Sequence, residues 1–201
     1  MSIPPEEFTP IIEELKRQPL PVNEYRNNSG IGRSQAFGVV NRRSLPSDYS
    51  RWCWKRPYLY KLLLDFGMKY VTGIKWNAIT VNINYQASRH LDRGNGGESF
   101  LVAFGAYSGG GLKIWKKGEI EEVLDINCKP VIGNFCEIPH AVEPFEGDRY
   151  SLVFYYNRGK KNECVDDLPK PSVVLEGGKY VFKRGDVVCR GLPHVLKRKK
   201  S

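Results

Sequence analysis

The hydrophobic pattern changes its period once along the chain. Over residues 6–18, and again over residues 57–69, apolar side chains recur at the spacing of one helical face. Acidic residues open the first stretch, Lys16 and Arg17 close it, and Pro19 follows, which suits the helix dipole and ends the helix. About residues 1–71 are therefore predicted to supply supporting helices.

From residue 72 onward apolar and polar residues alternate, and Gly, Asn and Pro turns interrupt the alternation. Many short strands at this density, placed after two helices, favour a double-stranded β-helix, or jelly roll, over about residues 72–158. The predicted fold class is thus α+β and mainly β. An earlier strand, 35–40, follows a polar loop over 23–34. The strands of the jelly roll are predicted at 78–85, 99–107, 112–115, 121–125, 131–137, 141–145 and 150–156.

The last part of the chain, about residues 159–201, begins with the pattern of a hairpin. Two short alternating runs flank Gly177 and Gly178, and a further apolar run over 187–189 precedes the basic tail 197–200. Neither an internal repeat nor a linker divides the sequence. Residues 1–201 are therefore predicted to form one domain.

The charge of the chain favours a polyanionic partner. The formal net charge is +9 and the pI is near 9.3. Arg26, Arg33, Arg42 and Arg43 are candidates for phosphate contacts, and plain surface charge is the alternative. Residues 52–57 combine tryptophan with Lys and Arg, and we interpret them as a core anchor with solvated neighbours. A nucleic acid is the partner that this charge favours.

Several classes of protein are excluded by composition. No run of eighteen apolar residues exists, which argues against a transmembrane helix, and the N-terminus lacks the features of a secretory signal. The five cysteines contain no CxxC pair and leave one cysteine over in any disulfide scheme, which argues against structural zinc. We expect a monomer with no membrane association in a reducing, intracellular location, which would be nuclear in a eukaryote.

Three residues form a candidate metal site. His90 and Asp92 stand two apart at the end of a predicted strand, so they leave the same face of an extended chain. His140 follows fifty positions later, at the start of another predicted strand. Two imidazoles and one carboxylate form the facial triad that leaves positions open on iron for oxygen chemistry. His90, Asp92 and His140 are therefore the predicted metal ligands and catalytic residues.

A second set of residues suggests the co-substrate. Arg149 and Ser151 stand two apart on one face of a predicted strand. A guanidinium fork with a hydroxyl beside it suits a carboxylate. A molecule with one carboxylate at the metal and another at Arg149 matches 2-oxoglutarate. Asn82 or Asn84, on the strand that leads to His90, is expected to add a hydrogen bond to it.

These residues resemble the Fe(II)/2-oxoglutarate dioxygenases. Their finer pattern is similar to the ten-eleven translocation/J-binding-protein (TET/JBP) branch, which oxidises the methyl group of pyrimidines in nucleic acid. Residues 105–112, GAYSGGGL, are similar to that branch's G-x-[FY]-[ST]-G-G-x-L strand pair, and residues 149–155, RYSLVFY, to its RxSLVFY strand. The resemblance covers about residues 78–157 and implies Fe(II), 2-oxoglutarate and O₂ as cofactor and co-substrates.

The resemblance also implies three substrate-binding residues. Asn95, three positions after Asp92, matches the asparagine that touches the target base, and Tyr155 matches the tyrosine beside it. Asn157 stands where the animal enzymes have a base-contacting histidine, and this chain also lacks their Cys-rich zinc-bearing region. The implied reaction is hydroxylation of a C–H bond, on 5-methylcytosine in DNA, with thymine or an RNA base as alternatives.

Two other functions remain open at this point. Prolyl or lysyl hydroxylases of peptides share this core, and a peptide groove can also use Asn95 and Tyr155. A jelly roll without catalysis, with or without a metal, is the second alternative. Iron-dependent formation of succinate would distinguish an enzyme from such a binding module.

Overall fold

The computed structural model describes residues 2–22, 30–116, 119–161 and 163–185. Arg26, the 187–189 run, His194 and the basic tail lie outside these residues. Near the N-terminus a 3₁₀ turn, Pro5–Phe8, continues directly into α1, Thr9–Arg17. Two further helices, α2 (Arg51–Lys55) and α3 (Pro57–Tyr70), follow. The predicted helices thus exist, and α2 is an addition within the segment interpreted as a core anchor.

Eleven strands among the described residues form three antiparallel sheets. A large sheet has the order β2-β1-β3-β9-β4-β7, a smaller one has the order β6-β5-β8, and β10-β11 form the predicted hairpin. Two facing antiparallel sheets with helices outside confirm the predicted jelly roll. The strands are β1 Gly30–Val40, β2 Asp48–Tyr49, β3 Ala78–Ala87, β4 Ser99–Gly109, β5 Leu112–Lys116, β6 Glu119–Leu124, β7 Val131–Gly133, β8 His140–Val142, β9 Phe145–Tyr155, β10 Pro171–Glu176 and β11 Lys179–Arg184.

The large sheet has one apolar face, which packs against the helices. Alternate residues of its strands are fully buried there and form the main core; they include Phe37, Ile79, Val81, Phe100, Val102, Leu152 and Phe154. Phe8 stacks on Phe104 with ring centroids 4.2 Å apart, which attaches the N-terminal turn to this face. Burying each such aromatic side chain stabilises the fold by about 1.5–3 kcal/mol.

A buried ion pair joins the N-terminal helix to the other two. Arg56, between α2 and α3, lies 3.1 Å from the Glu14 carboxylate, and both side chains are buried. The same guanidinium donates to the Gln18 carbonyl at 2.6 Å and to the Glu14 carbonyl at 3.3 Å. It therefore binds the Gln18 carbonyl beyond the end of α1 and shares the Glu14 carbonyl with the Gln18 N–H, which donates to it at 3.1 Å.

Three strand boundaries differ by four residues or more from those predicted. β1 begins at Gly30 rather than 35, and β9 begins at Phe145 rather than 150, because β3 and β4 extend alongside and provide ladder partners for polar and Gly-rich sequence. β7 ends at Gly133, although apolar alternation continues to residue 137. There Asn134 accepts backbone hydrogen bonds from Glu137 and Ile138, and the chain turns.

No helix within the described residues is both long and apolar enough to cross a lipid bilayer.

Candidate metal centre and its cavity

A cavity of about 190 Å³ opens between the large sheet and the β6-β5-β8 sheet. Its floor is the face of the large sheet that lies opposite the apolar core. The side chains that alternate with the core residues along each strand point toward this face. Pairing places Ser34, Asn82 and Ser151 side by side on β1, β3 and β9, as one polar row across this floor. Leu112 of β5 and Val142 of β8 line the opposite side.

The three predicted metal ligands meet at one end of this cavity. His90 follows β3, and its backbone exchanges two hydrogen bonds with His140 of β8, at 3.0 and 3.1 Å. Nε2 of His90 lies 3.5 Å from one oxygen of Asp92, and Nε2 of His140 lies 4.0 Å from the other. All three ligand atoms lie within 4.8 Å of one another.

Backbone carbonyls set the orientation of both imidazoles. Nδ1 of His90 is 2.7 Å from the Ser88 carbonyl oxygen, and Nδ1 of His140 is 3.1 Å from that of Ile138. A carbonyl only accepts, so each Nδ1 carries the proton and each Nε2 presents its lone pair toward Asp92. Burial lowers the pKa of His140, and the Asp92 charge opposes this only in part. The His140 imidazole is therefore neutral at neutral pH, as a metal ligand must be.

Asp92 is held by its surroundings on two sides. Its backbone N–H donates to the Phe135 carbonyl at 3.0 Å, in the turn that ends the apolar alternation after β7. Asn95 donates from its side-chain amide to Oδ2 of Asp92 at 3.3 Å and from its backbone N–H to the Asp92 carbonyl at 2.9 Å. Two imidazole nitrogens and one carboxylate oxygen, each oriented by a second contact, fit a divalent iron.

Arg149 lies deeper in the cavity and lacks an ionic partner. Its side chain is almost fully buried, its Nε has no hydrogen-bond partner, and no carboxylate of the described residues pairs with it. The guanidinium carbon lies 5.5 Å from the ring centroids of both Tyr107 and Phe145. Burial lowers the pKa of Arg149, and the contact with Tyr107 opposes this only in part; a buried cation without a carboxylate partner is costly. An anion bound here would remove that cost.

A glycine makes room for this guanidinium. Gly110 has φ +68°, and a Cβ added to it would lie 2.8 Å from Nε of Arg149. The Gly-rich motif of residues 105–112 therefore has a direct steric reason at this position. Ser151 lies one alternate position along β9 from Arg149, and its Oγ accepts a hydrogen bond from the Asn82 amide at 3.1 Å. The structure thus brings Arg149, Ser151 and Asn82 together in the cavity.

Asn84 does not line the cavity. This corrects the prediction that either Asn82 or Asn84 adds a hydrogen bond to the co-substrate. Two residues of β3, Asn84 and Tyr85, oppose the single residue Gly32 of β1, so the strand contains a β-bulge. Asn84 adopts a left-handed conformation with φ 47°, and its exposed side chain accepts a hydrogen bond from the Arg149 backbone N–H at 2.7 Å. The extra residue shifts the alternation, and Tyr85 lines the cavity instead.

The three residues expected to contact a base occupy different surroundings. Tyr155 lines the cavity near its floor, on the same face of β9 as Arg149 and Ser151. Asn95 also lines the cavity, beside Asp92, and its amide lies 3.4 Å from the Ser99 hydroxyl. Asn157 does not line it.

The placement of Asn157 corrects a sequence prediction. β9 ends at Tyr155, so the alternation that would have carried Asn157 onto the cavity face stops before it. The Asn157 amide donates to the Val39 carbonyl at 3.2 Å and accepts from the Gly159 N–H at 2.9 Å. This buried side chain stabilises the chain after β9 and is not available to a base.

Sequence reasoning missed three cavity residues that carry a hydroxyl group, and most of the apolar ones. Ser34 and Thr80 were detectable, because each lies on the alternating face defined by Asn82, once β1 is placed beside β3. Tyr85 was hidden by the bulge. The apolar wall comes mostly from the smaller sheet and the loop before β7, which only the tertiary structure brings near the metal ligands; its members are Leu101, Leu112, Ile126, Val142 and Val153.

Comparisons with known proteins are informative at the level of structure. No protein-family model matches the sequence, and no curated protein matches it. An oxidoreductase of the 2OG-Fe(II) oxygenase family from Burkholderia pseudomallei superposes with a TM-score of 0.51 at 20% identity, over 76% of this chain and 78% of that one. The chain has the fold of a 2OG-Fe(II) oxygenase.

Two other solved structures are similar in fold. NgTET1 in complex with 5mC DNA gives a TM-score of 0.54 at 14% identity, covering 78% of this chain and 69% of that one. OsALKBH1 gives 0.51 at 12% identity, covering 75% and 91%. At such identities the likeness establishes the fold, and the TET branch is one among several branches that share it.

Proposed function

We propose that the chain is an Fe(II)- and 2-oxoglutarate-dependent dioxygenase that hydroxylates a C–H bond, on the 5-methyl group of a pyrimidine in nucleic acid. The observation that carries this proposal is one cavity that holds both halves of the required chemistry. His90, Asp92 and His140 present three ligand atoms within 4.8 Å of one another at one end. Arg149, a buried cation without a carboxylate partner among the described residues, lies at the other.

Each residue of the cavity has a distinct task in this proposal. His90, Asp92 and His140 would hold Fe(II), which supplies the oxidation when 2-oxoglutarate and O₂ are bound. Arg149 would bind the distal carboxylate of 2-oxoglutarate through its planar fork, and Ser151 would add its hydroxyl. Asn82 orients that hydroxyl by donating to it at 3.1 Å.

The apolar wall has a task as well. Leu112 and Val142 of the smaller sheet line the cavity opposite the polar floor, and Leu101 of β4 and Ile126 add further apolar surface. They limit the water that reaches the reacting groups, and in such surroundings the attraction between Arg149 and a carboxylate is stronger than in bulk water.

A nucleic-acid substrate is supported by charge and by the resemblance in sequence. The formal net charge is +9, and NgTET1, whose structure contains 5mC DNA, shares the fold. Tyr155 lines the cavity, where its ring can stack on an extruded base, and the Asn95 amide lies between that space and Asp92. We propose 5-methylcytosine in DNA as the substrate, with thymine or an RNA base as the alternatives. The described cysteines are free thiols, in keeping with the intracellular location that we propose.

The test is nucleoside mass spectrometry after incubating methylated DNA and RNA with the protein, Fe(II) and 2-oxoglutarate. Oxidised methylpyrimidine and stoichiometric succinate are expected from the parent chain, and neither from His140→Ala. His194→Ala is the matched control, because it removes a histidine that is not part of the triad. Hydroxylated prolyl or lysyl peptide with no oxidised nucleoside would replace the substrate by a peptide, and absence of iron-dependent succinate would remove the enzymatic proposal.

A further inference from the structure

A second depression adjoins the cavity on the outer side of β1. It has a volume of about 370 Å³ and lies between β1, the loop that carries Arg42, and the start of α2. Ser34 lines both this groove and the cavity of the candidate metal ligands, so the two adjoin at that residue. Its lining includes Ser34, Gln35, Arg42, Ser50, Arg51 and Trp52.

One wall of this groove holds a fixed guanidinium. Arg42 donates from Nε to the Pro46 carbonyl at 2.8 Å, and a terminal nitrogen lies 3.1 Å from the Asp48 carboxylate. Arg184 binds the same carboxylate oxygen at 2.6 Å. One carboxylate thus serves two guanidinium groups, and the cluster keeps a net positive charge while Arg42 is held in place.

The other wall carries two cations on an aromatic ring. The Arg51 guanidinium lies 5.6 Å, and the Lys55 ammonium 5.5 Å, from the ring centroid of Trp52. Trp52 itself packs against the main core, so its ring is a rigid support. Arg51 and Lys55 are exposed, and neither forms an ion pair with a carboxylate of the described residues. Cation–π contacts therefore organise charge here without neutralising it.

We propose that this groove binds the phosphate backbone of a single nucleic-acid strand next to the nucleotide whose base enters the cavity. The proposal rests on the proposed function and names how its substrate is held. Arginine forks, hydroxyls and an amide are the groups that contact phosphate and sugar in protein–nucleic-acid interfaces. The groove adjoins the cavity at Ser34, and a nucleotide whose base is extruded into a cavity keeps its own backbone outside that cavity.

The salt dependence of binding tests this assignment without turnover. Fluorescence anisotropy of a labelled single-stranded DNA is measured for the parent chain and for the double variant Arg42→Gln/Arg51→Gln. Each phosphate contact on a single strand contributes about 0.7 to the slope of log K against log salt. Loss of two phosphate contacts should therefore reduce the magnitude of this slope by about 1.4. Affinity at about 0.1 M salt should fall roughly tenfold or more.

A charge-matched control separates this groove from general attraction. Lys61→Gln/Lys129→Gln removes the same charge from two surface ion pairs, with Asp65 and Asp125, away from the groove residues. Its slope should match the parent's. Arg51→Gln alone breaks no ion pair among the described residues. It should lower the magnitude of the slope by about 0.7, and it tests the groove even if loss of Arg42 unfolds the chain. Equal slopes for the two double variants would overturn the groove assignment.

Two further measurements distinguish phosphate binding in the groove from general attraction to polyanions and from the proposed oxygenase activity. Polyglutamate of the same charge should displace the oligonucleotide poorly, and displacement as effective as by unlabelled DNA would overturn phosphate recognition. Substrate-independent succinate formation should be unchanged in Arg42→Gln/Arg51→Gln, because neither residue lines the cavity of the candidate metal ligands. If the parent chain forms no succinate while the groove variant still loses DNA affinity, the oxygenase proposal fails and the groove assignment stands.

Discussion

The side-chain amide of Asn95 lies 3.3 Å from Oδ2 of Asp92, so a residue expected to read the substrate also contacts a predicted metal ligand. The Asn95 backbone reinforces this placement, since its N–H donates to the Asp92 carbonyl at 2.9 Å. The Cys136 thiol donates to the Asn95 carbonyl at 3.1 Å. The asparagine therefore belongs to the support of the metal site as well as to the wall of the cavity.

Asn95→Ala should consequently weaken metal binding. Second contacts to metal ligands are typically worth 10- to 100-fold in affinity, and we expect a loss of about that size. Anaerobic Fe(II) titration followed by tryptophan fluorescence measures it without turnover. Ser99→Ala is the matched control, because Ser99 contacts the same amide at 3.4 Å and does not touch Asp92. Unchanged metal affinity in Asn95→Ala would leave only a role at the substrate.

Arg149→Ala should raise the KM for 2-oxoglutarate by roughly two orders of magnitude or more. The reason is that removing one partner of a buried charge pair costs about 3–5 kcal/mol. Succinate formation at varied 2-oxoglutarate gives the value. Arg149→Lys keeps the charge and loses the fork, so partial recovery is expected. A KM equal to the parent's in the alanine variant would assign the carboxylate to another cation.

Gly67→Ala should destabilise the fold. A Cβ at this position of α3 would lie 2.7 Å from both the Trp76 and Phe154 rings, in the packed layer between helix and sheet. Overpacking of this kind typically costs about 1–3 kcal/mol, and urea unfolding measures it. Gly94→Ala is the control, since nothing lies within 4 Å of a Cβ there. Equal stability of the two variants would show that α3 moves away from the sheet at no cost.

Cys53 should resist alkylation until the chain unfolds. Burial raises the pKa of the Cys53 thiol to about 12, so at pH 8 the thiol is protonated as well as inaccessible. Cys164 is exposed and provides the internal comparison. Iodoacetamide labelling followed by peptide mass spectrometry should modify Cys164 in minutes and Cys53 only in denaturant. Simultaneous labelling of both in the native protein would contradict the buried position of α2.

The sequence alone indicated the candidate site because its residues lie on regular strands or shortly after one. His90 and Asp92 lie two apart just after β3, and Arg149 and Ser151 lie two apart on β9, so a local alternation reveals both pairs. The jelly roll and its supporting helices were predictable for the same reason. The motif of residues 105–112 also proved to have a physical basis, since Gly110 leaves space for Arg149.

Other features required the tertiary structure because they depend on partners distant in sequence. The bulge at Asn84 is defined only by its pairing with Gly32, and it reverses which of Asn84 and Tyr85 faces the cavity. Asn157 left the predicted face because β9 ends before it and its amide finds backbone partners on other segments. The unpaired state of Arg149 likewise depends on every group packed around it. A side chain's periodicity is local, whereas burial and hydrogen-bond partners are set by the whole fold.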